Sequence, residues 1–140
     1  MSTTATLTLE TVEGEGLRFR VRAGSGTESV LDSGRGMQAP SPVESLLAAL
    51  GGCEGMDVIS ILRKQRQQVL GYELVLTGER RTAHPRAFTR IELVHRLRGR
   101  DLDPAAIAEA IRQSQEKYCS VHASLSHDIE IVSRFEIVPS

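Results

Sequence analysis

The feature that most constrains the fold is a long apolar segment between Ser41 and about Gln68. Ser41, Pro42 and Glu44 provide an N-cap serine, a proline at the first helical position and the glutamate of a capping box, so a helix is predicted to begin there. Its apolar side chains surround most of the helix circumference: Val43, Leu46, Leu47, Leu50, Met56, Val58, Ile59, Ile61 and Leu62. Because a helix that is apolar nearly all round is buried nearly all round, we expect a second subunit to help cover it.

Charged residues indicate that this helix belongs to a soluble protein. Glu54 and Asp57 interrupt the apolar run, and the basic segment 63–66 follows it, which is not the pattern of a membrane span. A formal net charge of −1 argues against nucleic acid or an anionic membrane as the main partner. The N-terminal residues lack the basic start and apolar run of a signal peptide. We therefore expect a cytoplasmic protein whose two cysteines do not form a permanent structural disulfide.

The rest of the chain shows strand patterns that come in runs. Alternating apolar residues predict strands over residues 4–12, 17–22, 28–32, 72–76, 88–97 and 129–137. Asp103 and Pro104 begin a second helix that continues to about Lys117. Runs of strands, rather than regular alternation with helices, favour an α+β fold over a doubly wound sheet. The 140 residues fit a single domain, 1–140.

Cys53 lies in the middle of the predicted helix, directly after Gly51-Gly52. Each glycine costs about 1 kcal/mol relative to alanine in a helix, so close packing of another segment, or room for a ligand beside the thiol, is needed to explain the pair. Steps of three and four residues lead from Cys53 to Asp57, Ser60 and Lys64, which form a polar stripe on an apolar helix. A buried cysteine that fills space like a small hydrophobe is the alternative. The stripe and the glycines favour a functional thiol.

A reactive cysteine needs positive charge nearby, because the thiolate is the nucleophile. A position in mid-helix gains nothing from the helix N-terminus, and a charged Asp57 one turn away opposes a second negative charge. We therefore expect an arginine near Cys53. The arginines that precede the helix are Arg18, Arg20, Arg22 and Arg35. The alternation of the first three also fits a solvated face of a sheet.

Cys119 follows the second predicted helix, with Lys117 and His122 as local sources of positive charge. It is 66 positions from Cys53, so only folding could bring the two together, and the residues alone leave a redox pair unproven. A zinc site formed by the two cysteines with His122 and His127 is conceivable. The second cysteine of the usual C-x-x-C pair is missing, however, and we expect no metal.

The segments around both cysteines resemble the OsmC/Ohr family of osmotically inducible and organic-hydroperoxide-resistance proteins. The segments that carry the resemblance are Ser41–Cys53 and Glu116–Val121, and the agreement in element order covers nearly the whole chain. Met56–Val58 and His84–Thr89 are most similar to the YhfA-like branch. The resemblance implies an α+β fold in which antiparallel sheets surround a long central helix that bears the cysteine. It also implies an intertwined homodimer with two active sites at the interface.

The same resemblance implies a thiol-dependent organic hydroperoxide reductase that acts in oxidative-stress defence. Cys53 would be the peroxidatic thiolate, attacking the terminal peroxide oxygen to give a sulfenic acid. Cys119 would resolve that sulfenic acid as a disulfide, and an external dithiol, such as a lipoylated protein, would reduce the disulfide. No metal, haem or flavin is required.

Two features depart from the pattern of the peroxidase members. An acidic residue that helps orient the catalytic arginine normally follows the proline, and here that position is Val43. Glu44 is one position further, about 100° around the helix, and is the acidic candidate; Arg18 is the positional candidate for the arginine. Ser120 stands where a proline commonly follows the second cysteine. Val43 favours the alternative function, a dimeric redox sensor or ligand-binding protein without efficient peroxidase activity.

Overall fold

The computed structural model describes residues 1–11 and 14–139. It contains two compact units, one formed by Met1–Leu46 and the other beginning at Leu47, which are described separately below. The strands are β1 (Ala5–Leu9), β2 (Phe19–Ala23), β3 (Glu28–Leu31), β4 (Gln68–Arg80), β5 (Phe88–Arg100) and β6 (Glu130–Ile137). The helices are α1 (Pro42–Lys64), α2 (Pro104–Gln113) and α3 (Ser120–Ser124), with a π-helical turn at Ser114–Tyr118. This composition confirms the predicted α+β class, whereas the single domain over residues 1–140 stays a prediction.

The first unit is built on an antiparallel sheet in the order β1–β2–β3. Leu7 pairs with Val21, which also pairs with Ser29 on β3. The first strand was expected to reach residue 12, which lies outside the described residues; β1 ends at Leu9. The strands predicted over residues 4–12 and 17–22 are therefore confirmed with shifted bounds, and they pair as an antiparallel hairpin.

The start of α1 follows the predicted capping box. The backbone N–H of Glu44 donates to the Ser41 hydroxyl at 3.1 Å, and the Glu44 carboxylate accepts from the Ser41 N–H at 3.0 Å. The helix ends at Lys64, earlier than the expected Gln68. Arg66 adopts a left-handed conformation with φ of 58°, and the N–H of Gln67 bonds to a carbonyl five residues back, a geometry that terminates a helix.

The second unit contains the sheet β4–β5–β6. β4 and β5 form a long antiparallel hairpin, in which Leu76 lies opposite Leu93. β6 is parallel to β5, with Ile91 opposite Ile131, which corrects the expectation of purely antiparallel sheets. The reason is the connection: α2, the π-helical turn and α3 lie between β5 and β6, and a crossover of this length allows parallel pairing.

The core of the second unit is organised around one face of α1. Leu50, Glu54, Val58 and Leu62 follow at four-residue steps, and each is fully buried. Met56, by contrast, is 72% exposed. The helix is long and apolar enough to cross a membrane by length and composition, but this buried stripe is typical of a core helix. The sequence led us to expect that α1 is buried nearly all round, but within one chain α1 is buried on one face only.

The glycines of α1 are explained in part by packing against β4. A Cβ atom at Gly51 would come within 2.6 Å of Leu76, and one at Gly55 within 2.7 Å of Leu74. A Cβ atom at Gly52 would meet nothing within 4 Å among the described residues. Two glycines therefore let the strand approach the helix closely, and Gly52 has no such reason within the chain.

Candidate active site

The fold brings the two cysteines together. Cys53 is on α1, and Cys119 directly precedes α3. The ligand atoms of Cys53, Cys119 and Asp57 all lie within 4.8 Å of one another. Both thiols are free. Cys53 is partly exposed, whereas Cys119 is 4% exposed.

The π-helical turn positions Cys119. The turn begins at Ser114 and closes with a hydrogen bond of 2.7 Å from the Cys119 N–H to the Ser114 carbonyl. The hydroxyl of Ser114 donates to Asp57 at 2.8 Å, and the Cys119 sulfur caps α3 by accepting from the His122 N–H at 3.3 Å. One irregular turn thus supports both the carboxylate and the sulfur, in keeping with the frequent use of π-turns at functional sites.

The environments of the two cysteines differ. The pKa of the Cys119 thiol is raised to about 11, chiefly by burial and further by the neighbouring Cys53 and Glu54, whereas the His122 N–H acts in the opposite direction. Cys119 is therefore protonated near neutral pH. Cys53 is the more accessible of the two sulfurs.

Arg18 is held by an acidic residue that the sequence analysis did not identify. Its Nε donates to Asp32 at 3.1 Å, and Glu10 lies 3.7 Å from the guanidinium. Asp32 is 6% exposed, and its pKa is lowered by the backbone N–H groups of Gln38 and Ser33 and by Arg18. A short-range signal was available, since an aspartate before Ser33 and a glycine is typical of a turn that binds backbone N–H groups.

The other predicted residues have different local roles. Glu44 forms the capping box of α1. Lys117 lies over the Tyr118 ring at 5.1 Å, and His122 interacts with Cys119 through its backbone rather than its imidazole. Among the described residues, the hydrogen bond to the Cys119 sulfur comes from a backbone amide rather than from a cationic side chain.

A buried polar network adjoins Cys53 in the sequence and was not predicted. Glu54 and His95 are both fully buried, with their side chains 2.6 Å apart. The Ser133 hydroxyl donates to the same Glu54 oxygen at 2.9 Å, and Tyr72 contacts the other ring nitrogen of His95 at 2.5 Å. The second oxygen of Glu54 is buried without a hydrogen-bond partner among the described residues. The four-residue spacing from Leu50 was the signal that placed Glu54 on the buried face.

The polar stripe predicted on α1 forms the wall of a cavity. Asp57, Ser60 and Lys64 line a space of about 330 Å³, together with Ile61, Gln65, Gln113 and Tyr118. Asp57 belongs both to this wall and to the cysteine cluster. The stripe therefore leads from the cysteines to a solvent-accessible cavity large enough for a small molecule.

The imagined zinc site with two histidines does not form. Among the described residues, the donor grouped with Cys53 and Cys119 is Asp57, and neither His122 nor His127 belongs to the group. The cause is the course of the chain after Cys119, where α3 directs the His122 backbone, rather than its ring, toward the sulfur.

Comparisons with known proteins agree with this architecture. The model of the family described as OsmC-like protein matches residues 34–134. Protein YhfA of Escherichia coli (strain K12) is 47% identical over 124 residues, which cover 89% of this chain and 92% of YhfA. The crystal structure of a hypothetical protein from Aquifex aeolicus VF5 superposes with a TM-score of 0.81 at 29% identity, covering 99% of this chain and 98% of that one.

The fold is also shared with an organic hydroperoxide resistance protein. The crystal structure of OhrB of Bacillus subtilis matches with a TM-score of 0.63 at 13% identity, covering 97% of this chain and 98% of OhrB. At this identity the likeness concerns the fold alone. Together with the family match and the similarity to YhfA, it agrees with the resemblance drawn from the cysteine segments: the chain belongs to the OsmC-like protein family.

Proposed function

We propose that the protein is a thiol-dependent reductase of organic hydroperoxides that acts in oxidative-stress defence. The observation that carries the proposal is the proximity, within 4.8 Å, of the sulfurs of two free cysteines that differ in exposure, Cys53 and Cys119. A partly exposed thiol that faces a buried, protonated one matches a peroxidatic and a resolving cysteine. Membership of the OsmC-like family and the shared fold with OhrB support it.

In the first step, the Cys53 thiolate attacks the terminal oxygen of the peroxide. A sulfur–oxygen bond forms, the oxygen–oxygen bond breaks, and the alcohol leaves after taking up a proton. Cys53 is oxidised to a sulfenic acid, and the peroxide is reduced.

In the second step, the Cys119 sulfur attacks the sulfenic sulfur of Cys53. The disulfide forms, the sulfur–oxygen bond breaks, and water leaves. The Asp57 carboxylate, within 4.8 Å of both sulfurs, accepts the Cys119 proton and transfers it to the departing hydroxide. An external dithiol, such as a lipoylated protein, then exchanges with the disulfide, becoming oxidised as the two thiols are restored.

Arg18 is the proposed guanidinium that stabilises the thiolate and the peroxide. Asp32, rather than a residue in the position of Val43, serves as the acidic group that orients it. Glu44 has a secondary role beside its function in the capping box. Arg18→Gln is expected to slow the reaction with peroxide on the order of 10²-fold, as loss of one charge-stabilising donor does in other enzymes, whereas Glu44→Gln is expected to have a much smaller effect.

The test of the proposal is a thiol titration of reduced protein before and after one equivalent of tert-butyl or cumene hydroperoxide. The wild type is expected to lose both thiols rapidly. Cys53→Ser is expected to keep its remaining thiol, and Cys119→Ser to lose Cys53 without forming an intramolecular disulfide. Thiols of the wild type that survive excess peroxide would refute the proposal.

We also propose that the protein is a cytoplasmic homodimer. Gly52, Met56 and Ile59 of α1 line an apolar groove of about 520 Å³ with Leu74 and Leu76 of β4, and a second copy of the chain is the occupant we assign to it. Static light scattering is expected to give the mass of a dimer. Met56→Asp shifts the mass toward the monomer, whereas Thr77→Asp on the exposed face of β4 does not. A monomeric wild type contradicts the assignment.

The second candidate function is a dimeric redox sensor or ligand-binding protein, and Val43 is the observation that favours it. Such a protein would react with peroxide once and slowly, without sustained turnover when a dithiol reductant is supplied. The peroxide consumed per chain, measured with excess dithiol, separates the two functions: many equivalents support the enzyme, and one or fewer support the sensor.

A further inference from the structure

The Cys53–Asp57–Cys119 cluster also has the donor set of a metal site. Two sulfurs and a carboxylate, from α1 and from the residue before α3, converge within 4.8 Å. Cys53 and Asp57 are one helical turn apart, so both side chains leave the same face of α1. Sulfur and carboxylate oxygen are both zinc ligands, with bond lengths of about 2.3 Å and 2.0–2.2 Å.

We propose that the reduced protein binds one Zn²⁺ per chain through Cys53, Cys119 and Asp57. In a tetrahedral site with these bond lengths, neighbouring ligand atoms are roughly 3.3–3.8 Å apart. The observed spread of up to 4.8 Å therefore needs a contraction of about 1 Å, which side-chain rotation can supply. Three protein ligands leave the fourth position for water, and Asp57 on the cavity wall provides access from solvent.

The surroundings of the cluster already support such ligands. The Ser114 hydroxyl donates to one oxygen of Asp57, which leaves the other oxygen for the metal. The His122 N–H donates to the sulfur of Cys119 and fixes its direction. Outer hydrogen bonds of this kind orient metal ligands, and their loss typically lowers metal affinity 10–100-fold.

Metal binding and the proposed peroxide chemistry would exclude each other at this site. Zn²⁺ occupies both sulfurs as thiolates, so Cys53 is no longer free to attack a peroxide, and formation of the disulfide removes the two sulfur ligands. The inference nevertheless goes beyond the proposed function, because a metal site could exist whether or not the cysteines reduce peroxides.

The test uses Co²⁺ as a spectroscopic probe with reduced full-length protein, under anaerobic conditions and without peroxide. One equivalent is expected to give the thiolate-to-cobalt charge-transfer absorption and the visible bands of a tetrahedral site, and Zn²⁺ is expected to displace it. Cys53→Ser and Cys119→Ser should each lower the affinity more than 100-fold. Asp57→Asn and Ser114→Ala should each lower it 10–100-fold.

Two controls keep the outcome interpretable. Asp128→Asn changes an exposed aspartate outside the cluster and should bind cobalt like the wild type. Circular dichroism of each variant reports whether it is folded. The Ser114→Ala variant changes a residue that supports Asp57 and leaves all three proposed metal ligands in place. Cobalt affinity unchanged in folded Asp57→Asn and Ser114→Ala, or one metal shared by two chains, would overturn the proposal. Because no peroxide is used, failure here is distinct from failure of the proposed function.

Discussion

Glu54 places a carboxylate inside the apolar stripe of α1, between Leu50 and Val58. Such a group is tolerated only because His95, Ser133 and the network beyond them provide hydrogen bonds. The network adjoins Cys53 in the sequence, and the charge of Glu54 contributes to the raised pKa of Cys119. At the scale of single residues, a buried hydrogen-bonded pair therefore acts on both the stability of the core and the electrostatics of Cys119.

Replacing one partner of the Glu54–His95 pair should lower the free energy of unfolding much more than replacing both. We expect Glu54→Met and His95→Phe each to lower the free energy of unfolding by about 3–5 kcal/mol, because each leaves the other polar group buried and unpaired. The double variant should recover most of the loss, since two apolar side chains can pack in place of the pair. Urea unfolding of the four proteins measures the coupling. If the decrease in the double variant equals the sum of the decreases in the two single variants, the result would contradict the pairing of Glu54 with His95.

The raised pKa of Cys119 predicts a loss of stability at alkaline pH. The folded protein holds this proton more tightly than the unfolded chain, so the contribution is fully present below the ordinary thiol pKa of 9.0 and is lost as pH rises through about 11. We expect a decrease on the order of 1–2 kcal/mol in the free energy of unfolding between pH 9 and pH 11, after allowance for solvent screening. Urea unfolding across this range should show a smaller decrease in Cys119→Ser; an equal decrease in both would exclude Cys119 as the cause.

At the scale of elements, α1 and β4 fit together through glycine. Gly51 faces Leu76, and Gly55 faces Leu74, so the strand lies closer to the helix than any side chain at either glycine would permit. This close approach places Cys53 and Glu54 against the unit's core while leaving the Met56 face exposed. Propensity alone disfavours glycine in mid-helix, and tertiary packing provides the compensation at Gly51 and at Gly55.

The contact between Gly51 and Leu76 can be tested by enlarging the residue at position 51 and truncating the residue at position 76. Gly51→Val should lower the free energy of unfolding by about 1–3 kcal/mol, because the added methyl groups displace Leu76. Combining it with Leu76→Ala should cost less than the sum of the single changes, by about 0.5–3 kcal/mol, since the truncated leucine makes room for valine. Chemical denaturation of the single and double variants measures this coupling, and strict additivity would show that the two positions do not touch.

For the whole molecule, the sequence predicted the features that depend on neighbouring residues. The capping box at Ser41, the start of α2 after Asp103, and the strands over residues 72–76 and 88–97 all follow from short-range patterns, and all are confirmed. The proximity of Cys53 to Cys119 was implied by the family resemblance, because no local pattern connects positions 66 residues apart.

Features that depend on long-range packing could not be predicted in the same way. Glu54 and His95 are 41 positions apart, and a glutamate beside a cysteine gives no sign of which distant strand will supply its partner. Likewise, the parallel direction of β6 depends on where the crossover after β5 returns the chain, which strand patterns leave undetermined. The π-helical turn that positions Cys119 also lacks a recognisable residue pattern.

The central claim is that Cys53 and Cys119 form one redox pair within a single chain. The most direct measurement is mass spectrometry of proteolytic peptides from protein treated with one equivalent of cumene hydroperoxide, alkylated, and kept unreduced. We predict a peptide pair joined by a Cys53–Cys119 disulfide, with the intact chain lighter by two hydrogen atoms. Over-oxidised Cys53 beside an alkylated Cys119, with no linked pair, would contradict the claim.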